Sequence, residues 1–121
     1  MDDVYKLREY GKQTAVVFQT SSLMNQNDVE RVKGDLLRMV DGEKRTRLIL
    51  DFEPVQFISS QLIGVLLSLH KRVTASKSAD PGAQLVLCGL CPQLLELLKI
   101  TRLDRLLTIK PTRRDAIVER T

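Results

Sequence analysis

The stretch Thr46-Arg47-Leu48-Ile49-Leu50-Asp51-Phe52 decides the fold of this chain. It is a continuous apolar run of strand length, and this is the pattern expected of a central strand buried on both faces. Strands of this kind occur in parallel sheets, where a helix connects each strand to the next. Helical periodicity is therefore expected in the segments on either side of the run.

An amphipathic helix precedes the central strand. Its apolar residues recur at spacings of three and four, which places them on one helical face: Val29, Val32, Leu36 and Val40. Asn27 is the predicted N-cap, with Glu30 three positions later as in a capping box. Gly42 is the predicted C-terminal stop.

Helices and strands also alternate after the central strand. Ser59 and Ser60 lead into a predicted helix that starts buried and ends exposed. The further predicted elements are a helix over 61–76, a loop over 78–82, a strand over 85–88, a helix over 93–99 begun by Pro92, a strand over 106–109, and a short helix opened by Thr112 and Asp115.

The chain begins with two β-rich segments, 4–9 and 14–19, separated by Tyr10-Gly11-Lys12, a turn of hairpin length. The predicted order is β-β-α-β-α-β-α-β-α. It implies an α/β fold with a mixed, mostly parallel sheet, an antiparallel N-terminal edge hairpin and about four helices. The length of 121 residues predicts a single domain over 1–121.

Composition excludes several classes of protein. With 43% hydrophobic and 28% charged residues, the chain matches a globular protein. Its longest apolar stretch, 62–69, is far shorter than the ~20 residues that span a bilayer, so no membrane span is expected. The N-terminus shows no secretory signal pattern. Together with only 2 cysteines, this predicts a cytoplasmic protein with free thiols.

Charge and aromatic residues give no sign of nucleic-acid binding. The net charge of +4 is scattered along the chain and could only steer an acidic partner. Stacking on bases would need aromatics among clustered basic residues. The aromatics fall mostly in strand-like segments, where core positions are expected: Tyr5, Tyr10, Phe18, Phe52 and Phe57. No nucleic-acid partner is predicted.

Catalytic signatures are weak. His70 is the only histidine, and its sequence neighbours offer neither a nucleophile turn nor a second titratable partner, so a helix-surface role is favoured. No phosphate-binding glycine motif is found. We therefore predict no enzymatic activity and no cofactor.

Cys88-Gly89-Leu90-Cys91 is a C-x-x-C motif between a strand and a helix, a setting that can lower a thiol pKa. Thiol redox chemistry is therefore an alternative function. Against it, Cys88 continues an apolar strand, where cysteine is a small buried hydrophobe. As a zinc site the motif supplies two of four ligands, with no second pair in the chain, so no metal is predicted.

The segment Phe57-Ile58-Ser59-Ser60-Gln61-Leu62-Ile63-Gly64 has two interpretations. Serine is a preferred N-cap because its hydroxyl accepts a hydrogen bond from an otherwise unpaired N–H group. The same position suits a phosphate, since free N–H groups and the helix dipole stabilise negative charge there. The start of this helix is either a cap or a phosphorylation switch.

The sequence resembles the STAS domain family, which includes bacterial anti-sigma-factor antagonists. The resemblance covers almost the whole chain and rests on these segments: Leu48-Ile49-Leu50-Asp51-Phe52, Val55-Gln56-Phe57-Ile58-Ser59-Ser60, Gly64-Val65-Leu66, and 85–90 through 98–104. In that family a strand ending in aspartate leads to a loop of the form Asp-Ser-Ser-Gly-Leu-Gly, whose first serine is phosphorylated by a kinase that is also an anti-sigma factor.

The resemblance implies a phosphorylation-regulated switch that binds a kinase-like anti-sigma factor. Ser60 matches the phospho-acceptor and Asp51 the acidic strand end, whereas Ser59, Gln61 and Leu62 replace the family's aspartate, second serine and glycine. Ser59 is an alternative acceptor. The implied partner-binding residues are Asp51, Phe57, Ser59, Ser60 and Gln61. A scaffold without phosphorylation, assembling with itself or another regulator, is the other alternative, and the oligomeric state stays open.

Overall fold

A computed structural model describes residues 4–117 of the protein. The strands are β1 (Tyr5–Tyr10), β2 (Gln13–Phe18), β3 (Ser22–Leu23), β4 (Arg47–Asp51), β5 (Phe57–Ile58), β6 (Gln84–Cys88) and β7 (Thr108–Lys110). The α-helices are α1 (Gln26–Asp41), α2 (Ser60–Ala75), α3 (Pro92–Ile100) and α4 (Arg113–Ala116). Short 3₁₀ turns cover Ser76–Ser78 and Leu103–Arg105.

The main sheet has five strands in the order β1-β2-β4-β6-β7. β1 and β2 pair antiparallel, with Tyr5 opposite Phe18, and Gly11 takes the positive φ of 63° that their tight turn requires. All other neighbours pair parallel, with Leu50 of β4 opposite Leu87 of β6. The predicted mixed, mostly parallel sheet with an antiparallel N-terminal edge is confirmed.

The core lies mainly on one face of this sheet. Leu48 and Leu50 of β4 point to the face that α1, α2 and α3 cover, and they belong to the large apolar cluster. Ile49 points to the opposite face and packs in a smaller cluster with Ala116 of α4. Because strand side chains alternate between the two faces, the uninterrupted apolar run of β4 serves both clusters.

Two local predictions were wrong in position. α1 is capped by Asn25, not Asn27: the Asn25 side chain accepts from the N–H of Asn27 at 2.8 Å, so the helix begins earlier. The last strand begins at Thr108 rather than Leu106, because a 3₁₀ turn occupies the preceding residues and Leu106 is 54% exposed. Within residues 4–117, no helix is both long enough and apolar enough to cross a bilayer.

Candidate functional site

A small second sheet anchors the loop in front of α2. β3 pairs parallel with β5, so that Ser22 lies opposite Phe57 and Leu23 opposite Ile58. The N–H of Gln56 donates to the carbonyl of Ser21 at 2.7 Å, and the N–H of Ser59 donates to the carbonyl of Leu23 at 3.1 Å. These bonds join the segment after β2 to the start of α2. The sequence reasoning missed both strands, since each has only two residues.

Ser59 is the N-cap of α2. Its backbone is extended, with φ −83° and ψ 159°, and its Oγ accepts a hydrogen bond from the N–H of Leu62 at 3.1 Å. The residue is half-buried. Its hydroxyl oxygen therefore already serves the helix start by satisfying a first-turn N–H group.

Ser60 is the first residue of α2 and is exposed. Its hydroxyl makes no hydrogen bond to any side chain or backbone group within residues 4–117. It lies at the positive end of a 16-residue helix, where the first N–H groups have no partner in the preceding turn. The two serines thus differ: Ser59 is engaged in the fold, and the Ser60 hydroxyl is accessible.

Gln61 and Phe57 flank the serines. The Nε2 of Gln61 donates to Oε1 of Glu30 at 2.5 Å, which links the start of α2 to the first turns of α1. The expected core position of Phe57 is wrong, because its side chain is 53% exposed. Met24, directly after β3, is likewise 56% exposed. Sequence reasoning missed Met24, although an apolar residue in the polar stretch 20–26 is a usable signal.

The structure separates Asp51 from the other predicted site residues. Asp51 lies at the end of β4 and is only 5% exposed. Its Oδ1 accepts from the N–H of Glu53 at 3.0 Å, and its Oδ2 lies 3.6 Å from Nη1 of Arg113. It shares the strand face of Ile49, on the α4 side, whereas α2 covers the opposite face. Its side chain therefore supports the loop after β4 and makes no hydrogen bond to Ser59 or Ser60.

Gly89 completes the surroundings of Asp51. It has a φ of +70°, and a Cβ added there would lie 2.8 Å from Oδ1 of Asp51 and 3.0 Å from the N–H nitrogen of Glu53. Only glycine fits this conformation and this close approach without strain. The turns that follow β4 and β6 are therefore packed directly against each other.

The two cysteines of the C-x-x-C motif occupy different environments. Cys88 is fully buried in β6, and burial, together with the negative charge of Asp51, raises the pKa of its thiol to about 12. Cys91 is half-buried at the N-cap of α3, where its side chain makes no capping hydrogen bond. A thiolate is strongly disfavoured at Cys88, which argues against the redox alternative. His70 is half-buried on α2.

The sequence matches the STAS domain family over residues 7–116, and the chain belongs to this family. Its fold is similar to that of an anti-sigma-factor antagonist (STAS) domain protein from Planctomyces limnophilus, with a TM-score of 0.77, 22% identity, and coverage of 93% of this chain and 92% of that one.

Two further solved structures share the fold. An anti-sigma factor antagonist from Mycobacterium paratuberculosis has a TM-score of 0.77 and 14% identity, covering 93% of this chain and 88% of that one. The Bacillus cell fate determinant SpoIIAA in its phosphorylated form has a TM-score of 0.69 and 16% identity, and the match covers 93% of this chain and 95% of that one. At these identities the likeness concerns the fold.

Proposed function

We propose that this protein is a phosphorylation-regulated binding switch of the cytoplasm that acts as an anti-sigma-factor antagonist. It binds a kinase-like anti-sigma factor and catalyses no reaction itself. The binding surface consists of Phe57, Ser59, Ser60 and Gln61, and Ser60 is the phosphorylated residue. Membership of the STAS family and the fold shared with anti-sigma factor antagonists support this role.

The observation that carries the proposal is the difference between the two serines. A kinase must bring its nucleotide close to the acceptor oxygen, so the acceptor hydroxyl has to be accessible. The Ser60 hydroxyl is exposed and forms no hydrogen bond within residues 4–117, whereas the Ser59 oxygen is held by the N–H of Leu62. Phosphorylation of Ser59 would remove a helix cap, and phosphorylation of Ser60 would not.

A phosphate on Ser60 is compatible with the folded domain. It carries roughly −1.5 to −2 charges, and the first N–H groups and the dipole of α2 stabilise negative charge at this point. SpoIIAA, a protein of the same fold, has been solved in a phosphorylated form. The phosphorylated domain should therefore stay folded, so that the modification acts on binding.

A phosphate on Ser60 is unfavourable for binding of the partner. Glu30 is hydrogen-bonded to Gln61, the residue next to Ser60, so the new charge appears beside an existing carboxylate. A kinase-bound nucleotide would add further negative charge across the interface. An uncompensated dianion there would oppose binding by several kcal/mol, more than the ~1 to 3 kcal/mol typical of regulatory coupling. Phosphorylation therefore releases the partner.

Asp51 acts indirectly in this scheme. Its carboxylate holds the N–H of Glu53 at the start of the loop that ends in the binding surface. Asp51 thereby sets the path of the loop and does not touch the partner.

The test is partner capture from host lysate with the wild-type protein and its Ser60→Asp, Ser60→Ala and Ser59→Ala variants. Phosphate is mapped on both serines by mass spectrometry. We expect phosphate on Ser60, a kinase-like partner held by wild type and by Ser60→Ala, and loss of that partner with Ser60→Asp.

Ser59→Ala is the matched control, because it removes the neighbouring hydroxyl and leaves Ser60 intact. It should still carry phosphate on Ser60. An unmodified protein that holds the same partners in wild-type and Ser60→Asp form would contradict the switch and leave a scaffold role.

A further inference from the structure

Two exposed patches of this protein combine apolar side chains with charge of opposite sign. The first, called the acidic patch here, lies beside the start of α2. It consists of Met24 and Phe57, which are 56% and 53% exposed, with Asp28 and Glu30 in the first turns of α1, a helix that begins two residues after Met24. Because Ser22 of β3 lies opposite Phe57 of β5, strand alternation puts Met24 on the same face of this small sheet as Phe57. The Gln61–Glu30 hydrogen bond links α1 to the start of α2.

The sequence around the acidic patch is unusual for a chain with a net charge of +4. Neither of the two segments that form the patch, 13–30 and 48–70, contains a lysine or an arginine. The nearest cation along α1 is Arg31. Arg31 itself lies 3.8 Å from Asp35, one turn further along α1. The segments 13–30 and 48–70 therefore carry acidic residues and no cation.

The second, called the basic patch, lies at the end of α3 and in the turn that follows. Ile100 is 71% exposed and Leu106 is 54% exposed. The exposed cations Lys99, Arg102 and Arg105 belong to the same short segment, 99–106, and within residues 4–117 none of these three forms an ion pair. Between Lys99 and Leu106 the sequence contains one acidic residue, Asp104. An isoleucine this exposed, among unpaired cations, marks a surface that suits an apolar, acidic partner.

The two patches lie at opposite ends of the molecule. The acidic patch follows the carboxyl ends of β2 and β4, since β3 comes after β2 and β5 comes after β4. The basic patch precedes β7, so it lies at the amino ends of the parallel strands. A contact between one acidic and one basic patch therefore joins unlike surfaces of two molecules.

We propose that the basic patch of one copy docks on the acidic patch of a second copy. Both patches offer two exposed apolar side chains, and their charges are complementary, so the chain carries both halves of one interface. Because the patches lie at opposite ends of the parallel strands, the contact is head-to-tail and leaves a free patch at each end of a dimer, which permits open oligomers. This self-association goes beyond the proposed switch, and it covers the face on which that switch would bind its partner.

The experiment is sedimentation velocity on the purified chain, at low and high salt and over about a hundredfold range of concentration. Three variants are compared: Met24→Ser/Phe57→Ser, Ile100→Ser/Leu106→Ser, and the control Leu7→Ser. Leu7 is an exposed apolar residue of β1 outside both patches. Circular dichroism melting verifies that each variant is folded.

We expect wild type and Leu7→Ser to form a concentration-dependent series of oligomers that weakens at high salt. Each double variant alone should stay monomeric, because the Kd of its self-association is raised by about tenfold or more. Mixing the two double variants should give a dimer and nothing larger, because one supplies an intact acidic patch and the other an intact basic patch.

Three results would overturn the proposal: a wild-type monomer at every concentration, a double variant that associates as wild type does, or a mixture that forms no dimer. If a double variant fails to fold, the single variants Glu30→Lys and Arg105→Glu replace the two double variants, because neither changes the core. Unchanged self-association in both single variants would also overturn the proposal. No partner or kinase is present, so the outcome is independent of the proposed switch.

Discussion

The starts of α2 and α3 form a natural comparison within this molecule. α3 follows β6 directly, α2 follows β4 after the short strand β5, and β4 and β6 are neighbours in the main sheet. The N-cap residues have nearly the same backbone: Ser59 has φ −83° and ψ 159°, and Cys91 has φ −71° and ψ 164°. Ser59 accepts a hydrogen bond from the helix, and the Cys91 side chain accepts none.

The difference shows that two helix starts with like backbone geometry present different side-chain chemistry. After its capped start, α2 presents the exposed hydroxyl of Ser60, whereas α3 begins with Pro92, which has neither a hydroxyl nor an N–H group. The two positions provide the same helix dipole. Side-chain chemistry therefore makes the start of α2 a candidate for modification and the start of α3 a structural turn.

The largest expected effect concerns thiol reactivity beside α3. Iodoacetamide at about pH 8 should label Cys88 a hundredfold or more slowly than Cys91, because Cys88 is buried and its pKa is raised to about 12. The rates are read by mass spectrometry of the cysteine peptides, with urea-unfolded protein as the control in which both thiols react. Equal rates in the folded protein would restore the thiol redox alternative.

The raised pKa of Cys88 also makes the stability of the folded protein depend on pH. The unfolded chain loses this proton at a lower pH than the folded chain, so the contribution of Cys88 is present below about pH 9 and is lost as the pH rises toward 12.

The second prediction compares glycines near the two helix starts. Gly89→Ala should destabilise the protein by about 2 to 4 kcal/mol, because a side chain at φ +70° is strained and its Cβ would meet Asp51. Gly64→Ala in α2 meets nothing within 4 Å and should stabilise it by about 0.5 to 1 kcal/mol. Urea unfolding measures both. A neutral Gly89→Ala would show that the two loops are not packed as described.

The smallest effects come from exchanging the caps. Ser59→Ala should lower the free energy of unfolding by about 1 kcal/mol, whereas Ser60→Ala should change it by less than about 0.5 kcal/mol. Cys91→Ser places a capping oxygen on the matching backbone and should raise stability by about 0.5 kcal/mol. Urea titration at matched pH checks all three. Equal losses at Ser59 and Ser60 would contradict the assignment of Ser59 as the cap.

The fold was largely predictable because strong local patterns specify it. The uninterrupted run of β4, the alternation of strands and helices and the Tyr10-Gly11-Lys12 turn each depend on neighbouring residues. β3 and β5 were not predictable, since two-residue strands form only when distant segments meet. The cap of α1 was misplaced by two residues because Asn25 and Asn27 are both good caps, and only the backbone selects Asn25.

The candidate site was predictable in part. The sequence indicated a helix starting near Ser59 and Ser60, but not which hydroxyl is engaged in the fold. Asp51 was grouped with the serines because the family resemblance matches it to the acidic strand end, yet its side chain points to the α4 face and lies near Arg113, a residue 62 positions away in sequence. Met24 was missed because its exposure depends on the docking of β3 beside β5.

By itself the sequence determined the order of elements, the mostly parallel sheet and the serine-rich start of α2, because periodicity, caps and turns act over a few residues. Only the tertiary structure decided that Ser59 caps while Ser60 is exposed, that Cys88 is buried while Cys91 is half-buried, and that the acidic and basic patches lie at opposite ends. These properties depend on burial and on contacts between segments far apart in the chain, which local patterns do not encode.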